Sequence, residues 1–172
     1  MTLPEILEQE MTDIGMQVIS KAVGGYKGLL VRKAGLAYVF VDPGASRRTR
    51  AAILAEEFGH YKTSVGDTVR GSDDIRICRA EDRAMRAAVD MLVCPEEVIR
   101  AIRFGVNNWY ELSEHLDLPE QFLRQAVEVW QHRYGPVYTT ADSVLWMDPL
   151  SLHVFDPEQN YQEENYGERN LE

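Results

Sequence analysis

Cysteine is scarce in this chain: Cys78 and Cys94 are the only two in 172 residues, too few for a disulfide framework. No apolar run approaches the roughly 18 residues of a membrane span. The opening MTLPEILEQEMTDIG is acidic where an export signal is basic. Positive charge is also in short supply, with 18 Lys and Arg against 28 Asp and Glu and a formal net charge of −10. Phosphate backbones and anionic membrane surfaces repel such a chain, which argues against general nucleic-acid or membrane binding. Internal repeats are missing too. The expectation left by these absences is a cytoplasmic globular protein. At 45 % hydrophobic residues, a chain of this length can bury roughly 70 % of its unfolded surface in one core, with room for a small helical appendage.

The periodicity supplies the elements. Leu3, Ile6, Leu7, Met11 and Ile14 fall at helical spacing and predict an opening helix over 3–16. The run MQVISKAVGG is β-branched and ends in a glycine pair. GLLVRK and LAYVFVD, separated by Ala34-Gly35, predict a hairpin over 28–42 and with it a small antiparallel sheet. Ser46 is a candidate N-cap for a helix over 46–64. A polar loop follows over 65–77, then a helix over 79–93 stopped before Pro95. Helices over 95–104, 109–116 and 119–134 come next, with Pro95 at a first helical position. VYTT and LHVFD around Asp148-Pro149 suggest a last hairpin. The residues from Pro157 onward carry Glu158, Glu163, Glu164 and Glu168 and predict a solvated tail. The fold class is therefore α+β, mostly helical.

The helix over 46–64 contains Ile53-Leu54-Ala55-Glu56-Glu57-Phe58-Gly59-His60-Tyr61. At about 100° per residue, Glu57 falls about 40° from Ile53, on the side shared by Tyr61, Leu54 and Phe58. Its carboxylate is thus aimed into the apolar stripe. Glu56 and His60, four residues apart, share the adjoining edge. In the next helix, Ala84, Met85, Ala88, Met91 and Leu92 make one stripe with Glu81 at its centre, while Asp82 turns to solvent. A buried carboxylate without a partner loses several kcal/mol or its charge, so these acids need a counter-charge. Arg79, Arg83 and Arg86 could provide one. A metal ion held by the acids and His60 is the alternative.

At these residues the sequence resembles the ImmA/IrrE family of zinc-dependent metallopeptidases, in the short form carried by prophages and mobile elements. The hallmark of that family is H-E-x-x-H on one helix and an acid on the next. The matching runs are Glu56-Glu57-Phe58-Gly59-His60 and EDRAMRAAVDMLVCP over 81–95. KGLLVRK and AYVFVD resemble the strand pair before the motif helix, and WYELSEHLDLPEQFLRQAV the helical region after it. The resemblance extends over residues 1–156. It implies a zincin-like metallopeptidase core over 1–105, a helix-turn-helix-like region with a C-terminal hairpin over 106–156, and an acidic flexible tail over 157–172.

Carried over position by position, the resemblance makes His60 and Glu81 metal ligands and Glu57 the general base. Glu56 stands in the first ligand position, where the family pattern has histidine; short phage-type members often read AEELGH there. The implied cofactor is Zn2+. Two carboxylates and one imidazole form a harder donor set, which also suits Mn2+ or another divalent ion and acidifies bound water less. The implied activity is endoproteolysis of a helix-turn-helix transcriptional repressor from a phage or mobile element. The peptide would extend an exposed sheet edge by one strand. No direct nucleic-acid or membrane partner is expected. A second expectation, of a different class, is a binding protein that docks such a repressor without cleaving it.

Other features carry less. The region 109–133 has helix-turn-helix rhythm, yet Glu120, Arg124, Glu128, His132 and Arg133 leave its second helix near neutral, which favours packing or docking over DNA reading. His115 and His132 sit at polar positions and are expected at the surface, and His153 in the last strand. Tyr61 and His132 are the candidates for an oxyanion donor. Cys78 is expected as a small reduced buried residue, with a soft-ligand or redox role as the alternative. Trp109, Tyr110, Trp130 and Tyr134 match core spacing, and the glycines of GGYKG read as turns.

Overall fold

A computed structural model of the chain describes residues 1–63, 74–155 and 169–170. Most of the loop expected over 65–77 and most of the acidic tail lie outside the described residues. The chain divides into two compact units, Met1–Leu92 and Val93–Glu172. The helix opened by Pro95 therefore groups with the helices that follow it and not with the expected 1–105 core.

The first unit opens with α1 (Leu3–Asp13), whose Thr2 amide donates to the Glu5 carboxylate at 2.7 Å in a capping box. The helix stops short of Met16 because Gly15 takes φ 86° and turns the chain into strand β1 (Met16–Ser20). β2 (Gly28–Lys33) and β3 (Leu36–Val41) form the expected antiparallel hairpin across Ala34-Gly35. Both turn residues have positive φ, 53° and 79°, as a type I′ turn demands. β1, however, pairs with β3 in parallel, Val18 opposite Val39, so the sheet is mixed, in the order β1-β3-β2. β3 lies in the middle, which is why Ala37, Val39 and Val41 alternate as buried residues.

α2 (Arg47–Thr63) starts where expected: the Ser46 hydroxyl accepts the Thr49 amide at 3.2 Å. It packs against α1, β2, β3 and α3 (Asp74–Leu92), and buries Ala51, Ala52, Ile53, Leu54, Ala55, Phe58 and Gly59. α3 begins before residue 79, so Asp74–Ile77 are helical and not part of a loop.

In the second unit, α4 (Pro95–Arg103) buries Val98, Ile99, Ala101 and Ile102 and packs on α5 (Trp109–Leu116). Asn108 caps α5 by accepting the Glu111 amide at 2.8 Å. The turn to α6 (Glu120–Tyr134) runs through Asp117 in the left-handed region and is closed by a Ser113 hydroxyl bond to the Leu118 carbonyl at 2.6 Å. Trp109 and Trp130 are buried as expected, but Tyr110 and Tyr134 are exposed, because each follows or trails the buried stripe on the solvent side of its helix. The expected hairpin at Asp148-Pro149 joins β5 (Ser143–Met147) to β6 (Leu150–Val154), while VYTT supplies a further strand, β4 (Val137–Thr139), on the far side of β5. Part of the expected tail is ordered structure: β7 (Arg169–Asn170) pairs with β6. Among the described residues no helix is long and apolar enough to cross a membrane.

Candidate functional site

Two glycines set the geometry of the first unit around its carboxylates. A Cβ on Gly59 of α2 would stand 2.3 Å from the Ala84 carbonyl oxygen of α3, so the two backbones meet at a separation that only glycine permits. The buried row of α3 is accordingly its small residues, Ala80, Ala84 and Ala88, with Val89. This corrects the stripe drawn through Met85, Met91 and Leu92, which are half-buried. The rotation carries Glu81 off the centre of the stripe and onto its rim, where its side chain is 64 % exposed.

The rim position still brings Glu81 to α2. Its Oε2 lies 3.2 Å from His60 Nε2, and His60 is largely buried with its side chain 24 % exposed. Glu56 and Glu57, on the same helix, are both half-buried. Burial pushes the Glu57 carboxyl up to about 7, reinforced by the charges of Glu56 and Glu81 and opposed by a hydrogen bond from the Leu30 backbone. Burial also raises Glu56, with Glu81 adding to the shift and Lys27 opposing it. None of Arg79, Arg83 and Arg86, all exposed, forms an ion pair with these acids. The arginine alternative is therefore not the one adopted.

The second glycine is Gly28, at the start of β2. A Cβ there would lie 2.4 Å from Ile53 Cγ2 and 2.8 Å from Glu57 Oε1. Gly28 thus makes the room in which the Glu57 carboxylate reaches the strand. β2 is one of the two outer strands of its sheet. Asp42 donates its amide to the Lys27 carbonyl at 2.9 Å, and alternation along an antiparallel ladder then turns the peptide groups of Gly28, Leu30 and Arg32 outward. The Leu30 amide that meets Glu57 is one of these outward groups.

Other candidates are placed differently. The Tyr61 carbonyl accepts Arg32 Nη2 at 2.6 Å, and its ring lies 5.0 Å from that guanidinium and 6.4 Å from Phe58. Cys78 is exposed, contrary to the expected buried residue, and so is Cys94. His115 and His132 are exposed as expected, and His132 Nδ1 contacts the Glu128 carbonyl at 2.7 Å within α6. His153 is half-buried in β6, its ring 5.4 Å from Phe155.

A divalent cation can be tested against this donor set. Its chemistry fits. His60 and Glu81 meet at the α2–α3 seam, Glu56 and Glu57 lie on the same stretch of α2, and among the described residues Lys27 opposes the upward shift of Glu56 while no cation opposes that of Glu57. In the arrangement present, His60 and Glu81 are in contact, and among the described residues no group of three His, Cys, Asp or Glu is drawn together tightly enough to hold a metal. Gly28, Lys27 and Leu30 were missed by the sequence reading. A glycine opening an apolar strand was the available signal for the first. Nothing local marked the other two. Neither models of protein families nor curated proteins give a match to this chain.

Proposed function

We propose that the protein is a cytoplasmic, zincin-like metal-dependent endopeptidase of the ImmA/IrrE type, acting on a helix-turn-helix transcriptional repressor of a phage or mobile element. One observation carries the reading: His60 and Glu81, from successive helices, meet on the helix that carries two half-buried carboxylates, for which the described residues give no cation beyond Lys27 at Glu56. In this reading His60, Glu81 and Glu56 hold a Zn2+ or another divalent ion. The bound ion supplies Lewis acidity toward the scissile carbonyl and an acidified water.

The chain's own residues do the rest. Glu57, held near 7 by burial, has the proton affinity of a general base at neutral pH; its carboxylate takes a proton from water and returns one to the leaving amine. Gly28 keeps that carboxylate beside β2. The outward edge of β2, where Glu57 accepts the Leu30 amide, suits an extended peptide added as a further strand on the neighbouring peptide groups, which would set the scissile bond along the edge where Glu57 lies. The His60 imidazole, largely buried, turns its Nε2 to Glu81 at 3.2 Å.

Metal content of the purified protein, measured after supply of Zn2+ and of Mn2+, tests the reading together with Glu57→Gln. Stoichiometric metal in both proteins and proteolysis in the wild type alone are the expected results. Absence of bound metal under either supply would overturn it. The absence of a tight donor trio among the described residues favours a second reading, a protein that docks the repressor without cleaving it. In that case Glu57→Gln leaves partner binding and biological output unchanged.

A further inference from the structure

The second unit contains a groove of about 500 Å3 between α6 and the β5–β6 turn, remote in sequence from every residue of the carboxylate cluster. Its floor is apolar, formed by the buried Trp109, Val127, Met147 and Leu150. Its rim is charged, with Glu128 and Arg124 on α6 and Asp148 on the turn all exposed. Arg124 is already engaged. Its guanidinium stacks 4.4 Å above the Trp109 ring, and its Nε and Nη2 donate to Glu120 Oε1 at 2.9 and 2.8 Å. Glu120 therefore neutralises the one positive charge of the rim. Among the described residues no ion pair engages Glu128 or Asp148.

We propose that this groove docks a basic segment of a partner protein, one that presents lysine or arginine beside an aliphatic residue. The chemistry is complementary in both parts. A long basic side chain lays its apolar stem on the Val127–Met147–Leu150 part of the floor, beside the Trp109 ring that Arg124 covers, and carries its cation to the carboxylates at the mouth. The volume exceeds one such side chain and lies in the range of ordinary ligand sites, so a neighbouring aliphatic group enters with it. Net negative charge on the rim and on the chain as a whole steers a basic partner in and repels nucleic acid. The inference does not depend on peptidase activity, because no residue of the carboxylate cluster takes part.

Nuclear magnetic resonance on the full isotope-labelled chain tests it, with a short synthetic peptide of lysine, leucine and glycine as the probe. The Trp109 indole N–H and the Met147 methyl are expected to shift during the titration. An otherwise identical peptide with glutamate for lysine, and a short DNA duplex, are expected to leave both signals in place. Glu128→Gln with Asp148→Asn should weaken binding by about tenfold, whereas Glu10→Gln with Asp13→Asn, the same charge change on α1, should alter it by less than about twofold. Equal weakening by the two pairs would reduce the effect to general charge attraction and overturn the proposal. Shifts of the same signals by the glutamate peptide or by DNA would overturn it as well. Anisotropy with the labelled lysine peptide and Glu128→Lys alone provides a second measurement on an exposed position, with loss of binding expected; undiminished binding would count against the site.

Discussion

Gly59 faces the Ala84 carbonyl so closely that a Cβ at that position would lie 2.3 Å from the oxygen. The contact sets the spacing of α2 and α3, and the residues flanking it are those of the site. His60 follows Gly59 directly, and Glu81 precedes Ala84 by one helical turn, so close approach of the backbones places imidazole against carboxylate at 3.2 Å.

Gly59→Ala should consequently destabilise the protein even though alanine is the better helix former. The propensity gain in a helix interior is about 1 kcal/mol. Overpacking against a backbone carbonyl, which has no rotamer to yield, costs about 2–3 kcal/mol. A net loss of about 1–2 kcal/mol in urea denaturation is expected, accompanied by weaker metal retention. A more stable variant would mean that the seam is looser than the geometry requires.

The pH dependence of stability follows from Glu57. Its folded carboxyl titrates at about 7, above the ordinary 4.5, so between these values the native state holds a proton that the unfolded chain has released. Stability must then fall as pH rises through that window. The contribution is about 3 kcal/mol at most, at about 1.4 kcal/mol per unit, and Glu56 adds in the same direction. Glu57→Gln should flatten the fall between pH 5 and pH 8 and make the metal-free protein more stable at the upper end, measured by thermal melts across pH; the pH limits are about those set by the two values.

Metal binding offers a test of Glu56 as a donor. Replacing carboxylate by imidazole softens the set, so Glu56→His should raise affinity for Zn2+ relative to Mn2+ by about tenfold or more in calorimetry. Chelation should lower the melting temperature of the wild type and re-addition restore it. Identical preferences in wild type and variant would remove Glu56 from the donor set.

The hairpin gives a prediction independent of function. Ala34 sits at φ 53°, a conformation that an L residue with a Cβ adopts at a cost of about 1 kcal/mol. Asparagine tolerates that region and is favoured in type I′ turns, so Ala34→Asn should stabilise the protein by about 0.5–1 kcal/mol in denaturant titrations. A loss of stability would show that the turn is held by contacts other than its backbone preference.

Local patterns were legible before any fold was known. The hairpin at Ala34-Gly35, the cap at Ser46, the start of α4 at Pro95 and the break between the helices over 109–116 and 119–134 all follow from turn and capping chemistry within a few residues. Glu57 and Glu81 stood out as acids at apolar spacing and Glu56 and His60 by sharing the adjoining edge, while the roles expected of them came from the family resemblance. What failed was long-range. The parallel partnership of β1 with β3 depends on where a distant strand lies, and the short strands of the second unit, Ser143–Met147 above all, lack a pattern strong enough to announce their pairing.

The amino-acid sequence by itself determined which groups are present at the α2–α3 seam and on which helical edge each begins, since a 3.6-residue period is a property of the backbone. Tertiary structure decided how deep each lies. Gly59 and the alanine row drew α3 close and turned Glu81 outward to the rim, while Gly28 admitted Glu57 to the edge of β2; burial, and with it the proton affinity of a carboxylate, depends on what the rest of the chain packs against it.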